Sequence, residues 1–251
     1  GSLGSNALVE PGTTIEKLST CLALIEIVDS CNLSCPTCFA DSPMGAGKTL
    51  DYSPLADVKK RIQKVIDQKG SIEILQLSGG EPTLHPEFCE LLAWTQNHSE
   101  IDYTLINTNG VRIARDPDFT EKLGKTFQYG KAQLYLQFDG PQAPGQRELR
   151  GADLRDLRIQ ALRRCKEIEL PVTLAMTVTP SNLSFLWDAI CFGLEYPHVR
   201  GISFQPQFFS GRNPISGLEE ARLNTADIIL NAVDQSGGKL KFEDFTPLPC
   251  G

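Results

Sequence analysis

Short apolar segments alternate with helix-forming segments along most of the chain, and this alternation is the strongest constraint on its fold. Six segments have the length and composition of β-strands: Leu22–Val28, Ile72–Ser78, Tyr103–Asn107, Ala132–Phe138, Val172–Val178 and Ile202–Gln207. The stretches between them carry apolar residues at helical spacing, which is typical of βα units around a parallel sheet. About six βα units are too few for a closed eight-stranded barrel. The sequence therefore predicts an α/β protein built as an open, partial parallel βα barrel.

The segment boundaries indicate one large domain followed by a short extension. Gly1 to Ser5 have the composition of a cloning remnant and are set aside. Residues 6–216 contain the predicted strands and form the barrel domain, because barrels of this class commonly reach such a length undivided. Residues 217–251 are predicted to add a strand-like segment and a helix at Ala226–Asp234, which begins after Thr225 as a capping residue.

Several predicted strands carry polar or small side chains on one face and large apolar side chains on the other. These polar or small positions recur at period 2 and are Tyr135, Gln137, Asp139, Thr173, Ala175, Thr177, Ser203, Gln205 and Gln207. Strands packed by helices are normally apolar on both faces, so we expect the polar faces to line a ligand cavity. The alternative is a polar core whose side chains satisfy one another. The predicted wall contains almost no Lys or Arg, which disfavours a highly charged substrate.

Three cysteines with CxxxCxxC spacing, Cys31, Cys35 and Cys38, follow the first predicted strand. Three thiolates on one tight loop suit three corners of a four-iron cluster and leave the fourth iron without a protein ligand. An open coordination position is typical of a catalytic metal site. The alternatives are a structural zinc ion, which normally takes four protein ligands, and redox-active thiols. The spacing favours the cluster and therefore an enzyme.

A glycine pair, Gly79 and Gly80, followed by Glu81 and Pro82, ends the second predicted strand. Paired glycines allow the backbone to approach a ligand closely. Backbone groups beside a carboxylate suit an amino-acid-like ligand that carries an ammonium group. Taken alone, this sequence usually forms only a turn. Its position one βα unit after the cysteine loop favours the ligand-binding interpretation over a simple turn.

Together, the two motifs resemble those of the radical S-adenosylmethionine superfamily. The cysteine triad is similar to that family's cluster motif, and Gly79 to Pro82 are similar to its methionine-binding motif. The resemblance runs from about Leu22 to Arg212. It implies that Cys31, Cys35 and Cys38 hold a 4Fe-4S cluster. It also implies that S-adenosyl-L-methionine is the second cofactor.

The resemblance also implies a set of cofactor contacts on other strands. Thr37 stands where the family usually has an aromatic residue beside the adenine, and Phe39 is assigned that contact instead. The residues expected to bind S-adenosylmethionine are Phe39, Gly79, Gly80, Glu81, Pro82, Asn109, Gln137, Asp139, Arg150, Thr177 and Gln205. No residue is assigned a catalytic role of its own.

The chemistry that the resemblance implies is reductive cleavage of S-adenosylmethionine to a 5′-deoxyadenosyl radical. Tyr135 to Gly140, Phe204 to Arg212 and Phe245 to Cys250 further resemble the branch that contains tetraether lipid synthase and the methanopterin C-methylases. That branch implies functionalisation of an unactivated carbon, by C–C coupling or methylation. The alternatives are a maturase of a peptide or small molecule and, in a different class, a non-catalytic metal-binding scaffold. Cys250 is considered for a second metal site.

The composition restricts the possible partners. A net charge of −7 with no basic block argues against nucleic acid as a partner. No apolar run reaches membrane-spanning length, and no signal peptide is evident, so a cytoplasmic location is expected. The expected partners are a small-molecule or lipid-like substrate and an electron donor such as flavodoxin or ferredoxin.

Overall fold

The computed structural model of the protein describes residues 20–43, 49–208, 210–213 and 222–246. Its centre is a sheet of six parallel strands in sequential order. The strands are β1 Thr20–Val28, β2 Ile72–Gly79, β3 Ile101–Thr108, β4 Ala132–Gln137, β5 Val172–Val178 and β6 Val199–Pro206. The sheet is open, with β1 and β6 at its two edges. The predicted open, partial βα barrel is therefore confirmed.

Helices follow each strand and cover one face of the sheet. They are α1 Leu55–Lys69, α2 Phe88–Gln96, α3 Val111–Arg115, α4 Pro117–Thr126, α5 Gln146–Arg150, α6 Arg155–Glu167, α7 Leu186–Leu194 and α8 Thr225–Gln235. The core lies between helices and sheet. Its strand residues are fully buried and apolar, and include Leu75, Leu77, Leu134, Leu136, Leu174 and Met176.

The opposite face of the sheet, here called the inner face, carries the predicted polar positions. Strand register aligns Tyr135 with Thr173 and aligns Ala175 with Ser203, so these residues share one face. The Tyr135 hydroxyl donates to Ser203 Oγ at 2.6 Å, and Gln205 Nε2 donates to the Tyr135 oxygen at 2.8 Å. The side chains are half-buried or exposed and also satisfy one another. The polar network that was weighed as one alternative is thus present, and a ligand cavity along this face stays a prediction.

Two predicted strands end earlier than expected. β4 ends at Gln137, because Asp139 takes a left-handed backbone conformation with φ of +60° and turns out of the sheet. β6 begins at Val199 and ends at Pro206, so Gln207 lies beyond it. A register shift between Val172 and Thr173 accompanies the pairing of β5 with β6. Asp139 and Gln207 are therefore not inner-face strand residues.

The predicted final helix is present, with a different cap. Asn224, rather than Thr225, is the N-cap residue, and it forms a capping box in which its side chain and that of Asp227 each accept a backbone N–H. The described residues after α8 contain a one-turn 3-10 helix at Phe242–Asp244 and no strand. The cloning remnant, the start of the predicted extension and Cys250 lie outside the described residues. The division at residue 216 stays a prediction.

None of the helices in the described ranges has both the length and the apolar content needed to cross a bilayer.

Candidate metal and cofactor site

The cysteine loop, residues 29–42, lies at the carboxyl edge of the sheet, directly after β1. Cys35 is buried, and Cys31 and Cys38 are partly buried. The pKa of Cys31 is raised to about 11, mainly by burial and to a smaller extent by the nearby charges of Glu81, Cys35 and Cys38, while a hydrogen bond with the Leu33 backbone opposes the shift. The three thiols are therefore close enough to influence one another. Carboxyl ends of parallel strands are where barrel active sites form.

The glycine pair after β2 packs against the cysteine loop itself. Gly79 has a φ of +125°, and a Cβ atom there would lie 2.2 Å from the Val28 carbonyl oxygen. A Cβ atom at Gly80 would lie 2.3 Å from the carbonyl oxygen of Ser30. The Gly80 amide donates to Val28 O at 2.7 Å. The backbone of Val28 to Ser30 fills the space that side chains at these glycines would need, and the predicted contact of Gly79 and Gly80 with S-adenosylmethionine stays a prediction.

Glu81 is buried, and donors from its own turn and from the end of β3 occupy its carboxylate. Oε1 accepts the Thr83 amide at 3.1 Å, the Thr83 hydroxyl at 2.6 Å and the Thr108 hydroxyl at 2.7 Å. Oε2 accepts the Asn109 amide at 2.8 Å. Burial raises the pKa of Glu81, and these four hydrogen bonds oppose that shift. Its carboxylate links the turn after β2 to the end of β3, and the expected contact of Glu81 with an ammonium group stays a prediction. Pro82, also buried, opens the 3-10 turn that follows.

Asn109 joins the end of β3 to the cysteine loop. Its side-chain amide donates to Asn32 Oδ1 at 2.7 Å and lies 3.7 Å from Cys31 Sγ. Its Oδ1 accepts the Val111 amide at 2.9 Å, at the start of α3. Amide N–H groups beside a thiol are suited to stabilise a thiolate. The structure therefore places this predicted residue next to the cysteine triad.

Arg150, Asp139 and Thr177 form a polar cluster near Cys35, in which Asp139 is buried and the other two residues are partly buried. Arg150 Nε donates to Asp139 Oδ2 at 2.6 Å, and Nη2 donates to Oδ1 at 2.8 Å and to Thr177 Oγ1 at 3.2 Å. The guanidinium is also within hydrogen-bonding reach of Cys35. Burial raises the pKa of Cys35, and Arg150 opposes the shift. The cluster sets a fixed cation beside one of the three thiols.

Gln137 contacts a residue that sequence reasoning did not identify as part of the site. Its side-chain oxygen accepts a hydrogen bond from Arg158 Nη2 at 2.7 Å, and Arg158 Nη1 donates to the Asn109 carbonyl oxygen. Arg158 is buried on the sheet-facing side of α6. The sequence signal that could have identified Arg158 is a basic residue at a helical position where the pattern expects an apolar one.

Arg212 is a second residue of the site that was missed. Its Nε donates to Cys35 O at 3.1 Å, and its Nη1 donates to Ser42 O at 2.7 Å. Cys38 and Arg212 also exchange two backbone hydrogen bonds of 2.9 Å. The segment after β6 therefore holds the cysteine loop from the side opposite β2. The sequence showed the Ser-Gly-Arg motif but not where it packs.

Two predicted contacts lie at the exposed margin of the site. Phe39 follows the last cysteine of the motif and has an exposed fraction of 58 %. Gln205 lies on the inner face, in register with Thr177, and its side chain bonds Tyr135. Among the described hydrogen bonds of the Gln205 side chain, none reaches the cysteine loop.

The residues present fit an iron–sulfur cluster. The donor set is three neighbouring thiols, with the cation of Arg150 beside Cys35. Within the described ranges, no three Cys, His, Asp or Glu side chains are arranged to hold one metal ion. A four-iron cluster has a different requirement, because each thiolate binds a separate iron atom.

Comparison with known proteins is consistent with an iron–sulfur cluster at the three cysteines. A protein of Methanocaldococcus jannaschii named 7,8-dihydro-6-hydroxymethylpterin dimethyltransferase is 30 % identical over 236 residues, which are 93 % of this chain and 45 % of that protein. A GTP 3′,8-cyclase of Cronobacter sakazakii is 33 % identical over 92 residues, 37 % of this chain and 28 % of the cyclase. The chain therefore spans less than half the length of these relatives.

Solved structures share the fold. Streptococcus suis SuiB superposes with a TM-score of 0.64 at 18 % identity, covering 89 % of this chain and 48 % of SuiB. Methylornithine synthase gives a TM-score of 0.62 at 15 % identity, covering 90 % of this chain and 65 % of the synthase. Residues 25–187 match the Radical SAM superfamily, whose members are enzymes that use a 4Fe-4S cluster and S-adenosylmethionine. The chain thus belongs to the Radical SAM superfamily.

Proposed function

We propose that this chain holds a 4Fe-4S cluster through Cys31, Cys35 and Cys38 and functionalises an unactivated carbon of its substrate. The observation that carries the proposal is the placement of three mutually close thiols at the carboxyl edge of the sheet, beside Arg150. When bound, the cluster and S-adenosylmethionine supply one-electron cleavage to a 5′-deoxyadenosyl radical. The protein contributes position, charge and exclusion of water. An external one-electron donor of the flavodoxin or ferredoxin class would deliver the electron.

The chain's own residues divide into two groups in this proposal. Glu81, Asn109 and the glycine pair fix the shape of the cysteine loop, since their contacts are made to that loop or to its neighbours. The exposed Phe39 ring is available to stack on the adenine of S-adenosylmethionine. We assign contacts with its polar groups to Thr177 and Gln205, and their adjacent register at the carboxyl ends of β5 and β6 supports this assignment.

The proposed substrate is a neutral compound with hydrogen-bonding groups. The inner face offers hydroxyl and amide groups from Tyr135, Ser203 and Gln205. Amide and hydroxyl groups orient a ligand that has matching donors and acceptors. The relative from Methanocaldococcus jannaschii is named for two methyl transfers to a dihydropterin, which is such a compound. Methylation or C–C coupling at a heterocycle of this kind is the reaction that we favour.

The first prediction tests cluster binding and the cleavage of S-adenosylmethionine together. After anaerobic reconstitution, we expect about four iron atoms per chain and release of 5′-deoxyadenosine from S-adenosylmethionine with dithionite. Cys35→Ala should lose both, because it removes the buried thiol beside Arg150. Iron analysis, electron paramagnetic resonance and chromatography of the nucleoside products provide the measurements.

Cys21→Ala is the matched control, because Cys21 is exposed on β1 and away from the cysteine loop. It should retain iron and nucleoside release. A wild-type protein that binds one zinc ion and no four-iron cluster would overturn the proposal. A loaded protein that never cleaves S-adenosylmethionine would instead support the scaffold alternative.

The substrate proposal has its own readout. Incubation with isotopically methyl-labelled S-adenosylmethionine and a dihydropterin should give a labelled pterin, detected by mass spectrometry. Release of 5′-deoxyadenosine without any pterin product would reject this substrate class and leave the radical chemistry in place.

A further inference from the structure

Arg158 is a buried cation without a carboxylate partner. Its exposed fraction is 1 %, and it takes part in none of the ion pairs in the described part of the chain. Two of its nitrogens donate, to the Asn109 carbonyl oxygen and to Gln137 Oε1. Its Nε has no hydrogen-bond partner among the described residues. The guanidinium is therefore incompletely satisfied in a place that water does not reach.

Such a side chain works against folding. Transfer of a charge into the protein interior is costly unless an opposite charge and a full set of hydrogen bonds compensate it. The neighbours of Arg158 along this face of α6 are Ala161, Leu162 and Cys165, all fully buried. An apolar residue would suit the position better. Features that oppose local stability are expected at functional sites.

The charges around Arg158 belong to the metal and cofactor site. Burial lowers the pKa of Arg158 to about 10, the charges of Asp139, Cys35 and Glu81 oppose the shift, and Arg150 adds to it. Asp139 is already paired with Arg150 by two hydrogen bonds. Arg158 therefore remains as an additional cation near the cysteine triad, bonded to Asn109, whose side chain lies 3.7 Å from Cys31 Sγ.

Negative charge accumulates at this place when the site is loaded. Each thiol loses a proton when it ligates iron, and the three thiolate charges exceed the positive charge of the oxidised cluster core, so the loaded site would be net negative. Reduction of the cluster by one electron adds a further negative charge. A nearby fixed cation in a medium of low polarity favours both changes. The positive charge of Arg158, which is costly in the metal-free protein, would then be compensated by the negative charge of the loaded site.

We propose that Arg158 is a positioning residue of the iron–sulfur site, whose fixed positive charge favours the reduced cluster. The inference rests on the proposed function, since it requires a cluster at the three cysteines. It adds a buried residue whose described hydrogen bonds are made to Asn109 and Gln137 and not to a thiol. Arg158 acts through its charge and through its hydrogen bonds to Gln137 and Asn109.

The test compares three variants of the reconstituted protein. Arg158→Met removes the charge and keeps the length, Arg158→Lys keeps the charge, and Arg163→Met removes an exposed charge from the same helix. The midpoint potential is measured by dithionite titration with mediators and electron paramagnetic resonance. In Arg158→Met, we expect the ratio of reduced to oxidised cluster at a given potential to fall about tenfold, which is about 59 mV for one electron. Arg158→Lys and Arg163→Met should titrate close to the wild type.

A second measurement separates this role from a structural one. In the metal-free protein, Arg158→Met should have a free energy of unfolding equal to or above that of the wild type, because an apolar side chain replaces an unpaired buried charge. A less stable or unfolded metal-free variant would overturn the inference, since it would show that Arg158 serves the fold.

The remaining outcomes are also decisive. An unchanged midpoint potential in Arg158→Met, with the wild type fully loaded, would reject this inference and leave the proposed function intact. Failure of the wild type itself to take up a four-iron cluster would reject the proposed function, and this inference with it.

Discussion

At the scale of single residues, two glycines after β2 shape the start of the cysteine loop. Gly79 and Gly80 bring the end of β2 against the backbone of Val28 and Ser30. That contact requires the absence of a Cβ atom at both positions. The glycine pair is therefore part of the packing that gives the three thiols their relative positions.

Gly80→Ala should lower the free energy of unfolding by about 1–3 kcal/mol, the usual cost of an added methyl group in a filled space. The new Cβ atom would meet the carbonyl oxygens of Ser30 and Asp29, which belong to backbone and cannot rotate away. Denaturant titration of the metal-free protein gives the measurement.

Gly201→Ala is the matched control. The nearest atom to a Cβ there is Thr173 Oγ1 at 3.9 Å, an ordinary contact distance. Alanine is also favoured over glycine within a strand for entropic reasons, so stability should be kept or increased. Equal losses in Gly80→Ala and Gly201→Ala would contradict the packing explanation.

The same residues show what the sequence could reveal of the site. The motif at Gly79 to Glu81 predicted a close backbone approach but not the group that is approached. That partner, the backbone from Val28 to Ser30, is about 50 positions away along the chain, and local spacing carries no information on such contacts. Cys31, Cys35 and Cys38 could be identified because a short loop fixes their proximity. Arg158 was missed because its partners are distant in sequence: Asn109 directly follows β3, and Gln137 ends β4.

At the level of elements, the cysteine loop is held from three directions. The end of β2 supports it through Gly80, the end of β3 through the pair of Asn109 and Asn32, and the segment after β6 through Arg212. The loop has no regular secondary structure of its own. Its order therefore depends on side chains that reach it from other elements.

Arg212→Met should loosen the loop without unfolding the sheet. The variant loses the hydrogen bonds of the guanidinium to Cys35 O and Ser42 O, each worth about 1 kcal/mol or more. Hydrogen–deuterium exchange followed by mass spectrometry should show loop amides exchanging at least about tenfold faster.

Peptides from α1 serve as the internal reference and should be unchanged, because α1 packs on β1 and β2 away from Arg212. Arg163→Met, which removes a cation from the outside of α6, should leave the loop amides as in the wild type. Unaltered exchange of the loop in Arg212→Met would mean that the two backbone hydrogen bonds of Cys38 are sufficient to hold it.

Strands and helices were predicted well because they depend on local periodicity. Val172–Val178 was predicted at both of its ends, and the period-2 pattern of β4 and β6 identified the inner face. The errors lie at ends that a distant or special conformation determines. Asp139 leaves β4 because its carboxylate is bound by Arg150, eleven residues further on. A pattern of alternating residues does not contain that interaction.

At the level of the whole molecule, the cysteine loop is where distant parts of an open sheet meet. β1 leads into it, β2 and β3 support it, and the segment after β6 pairs with Cys38. β1 and β6 are the two edges of the sheet. A group that binds the three thiols should therefore stabilise the entire protein and not the loop alone.

Cluster loading should accordingly raise the unfolding midpoint of the protein under anaerobic conditions. A ligand that binds only the folded state stabilises it by about 2.7 kcal/mol when present at a hundred times its dissociation constant. Differential scanning fluorimetry or circular dichroism before and after reconstitution gives the comparison. Removal of iron with a chelator should return the midpoint to its starting value.

Cys35→Ala treated in the same way should show no increase, because it lacks one of the three thiols. A wild-type midpoint that does not move on loading would indicate that the cysteine loop is independent of the sheet. That result would contradict the coupling inferred from the contacts of Gly80, Asn109 and Arg212.

The pairing of Cys38 with Arg212 bears on how fragments of this protein should be designed. A version shortened after α7 would keep all three cysteines and the first five strands, and would cover the stretch that matches the family. It would nevertheless lack the partner that fixes the third cysteine and the far end of its loop. Truncation series for expression or crystallisation should therefore extend beyond Arg212, even though the stretch that matches the family ends at residue 187.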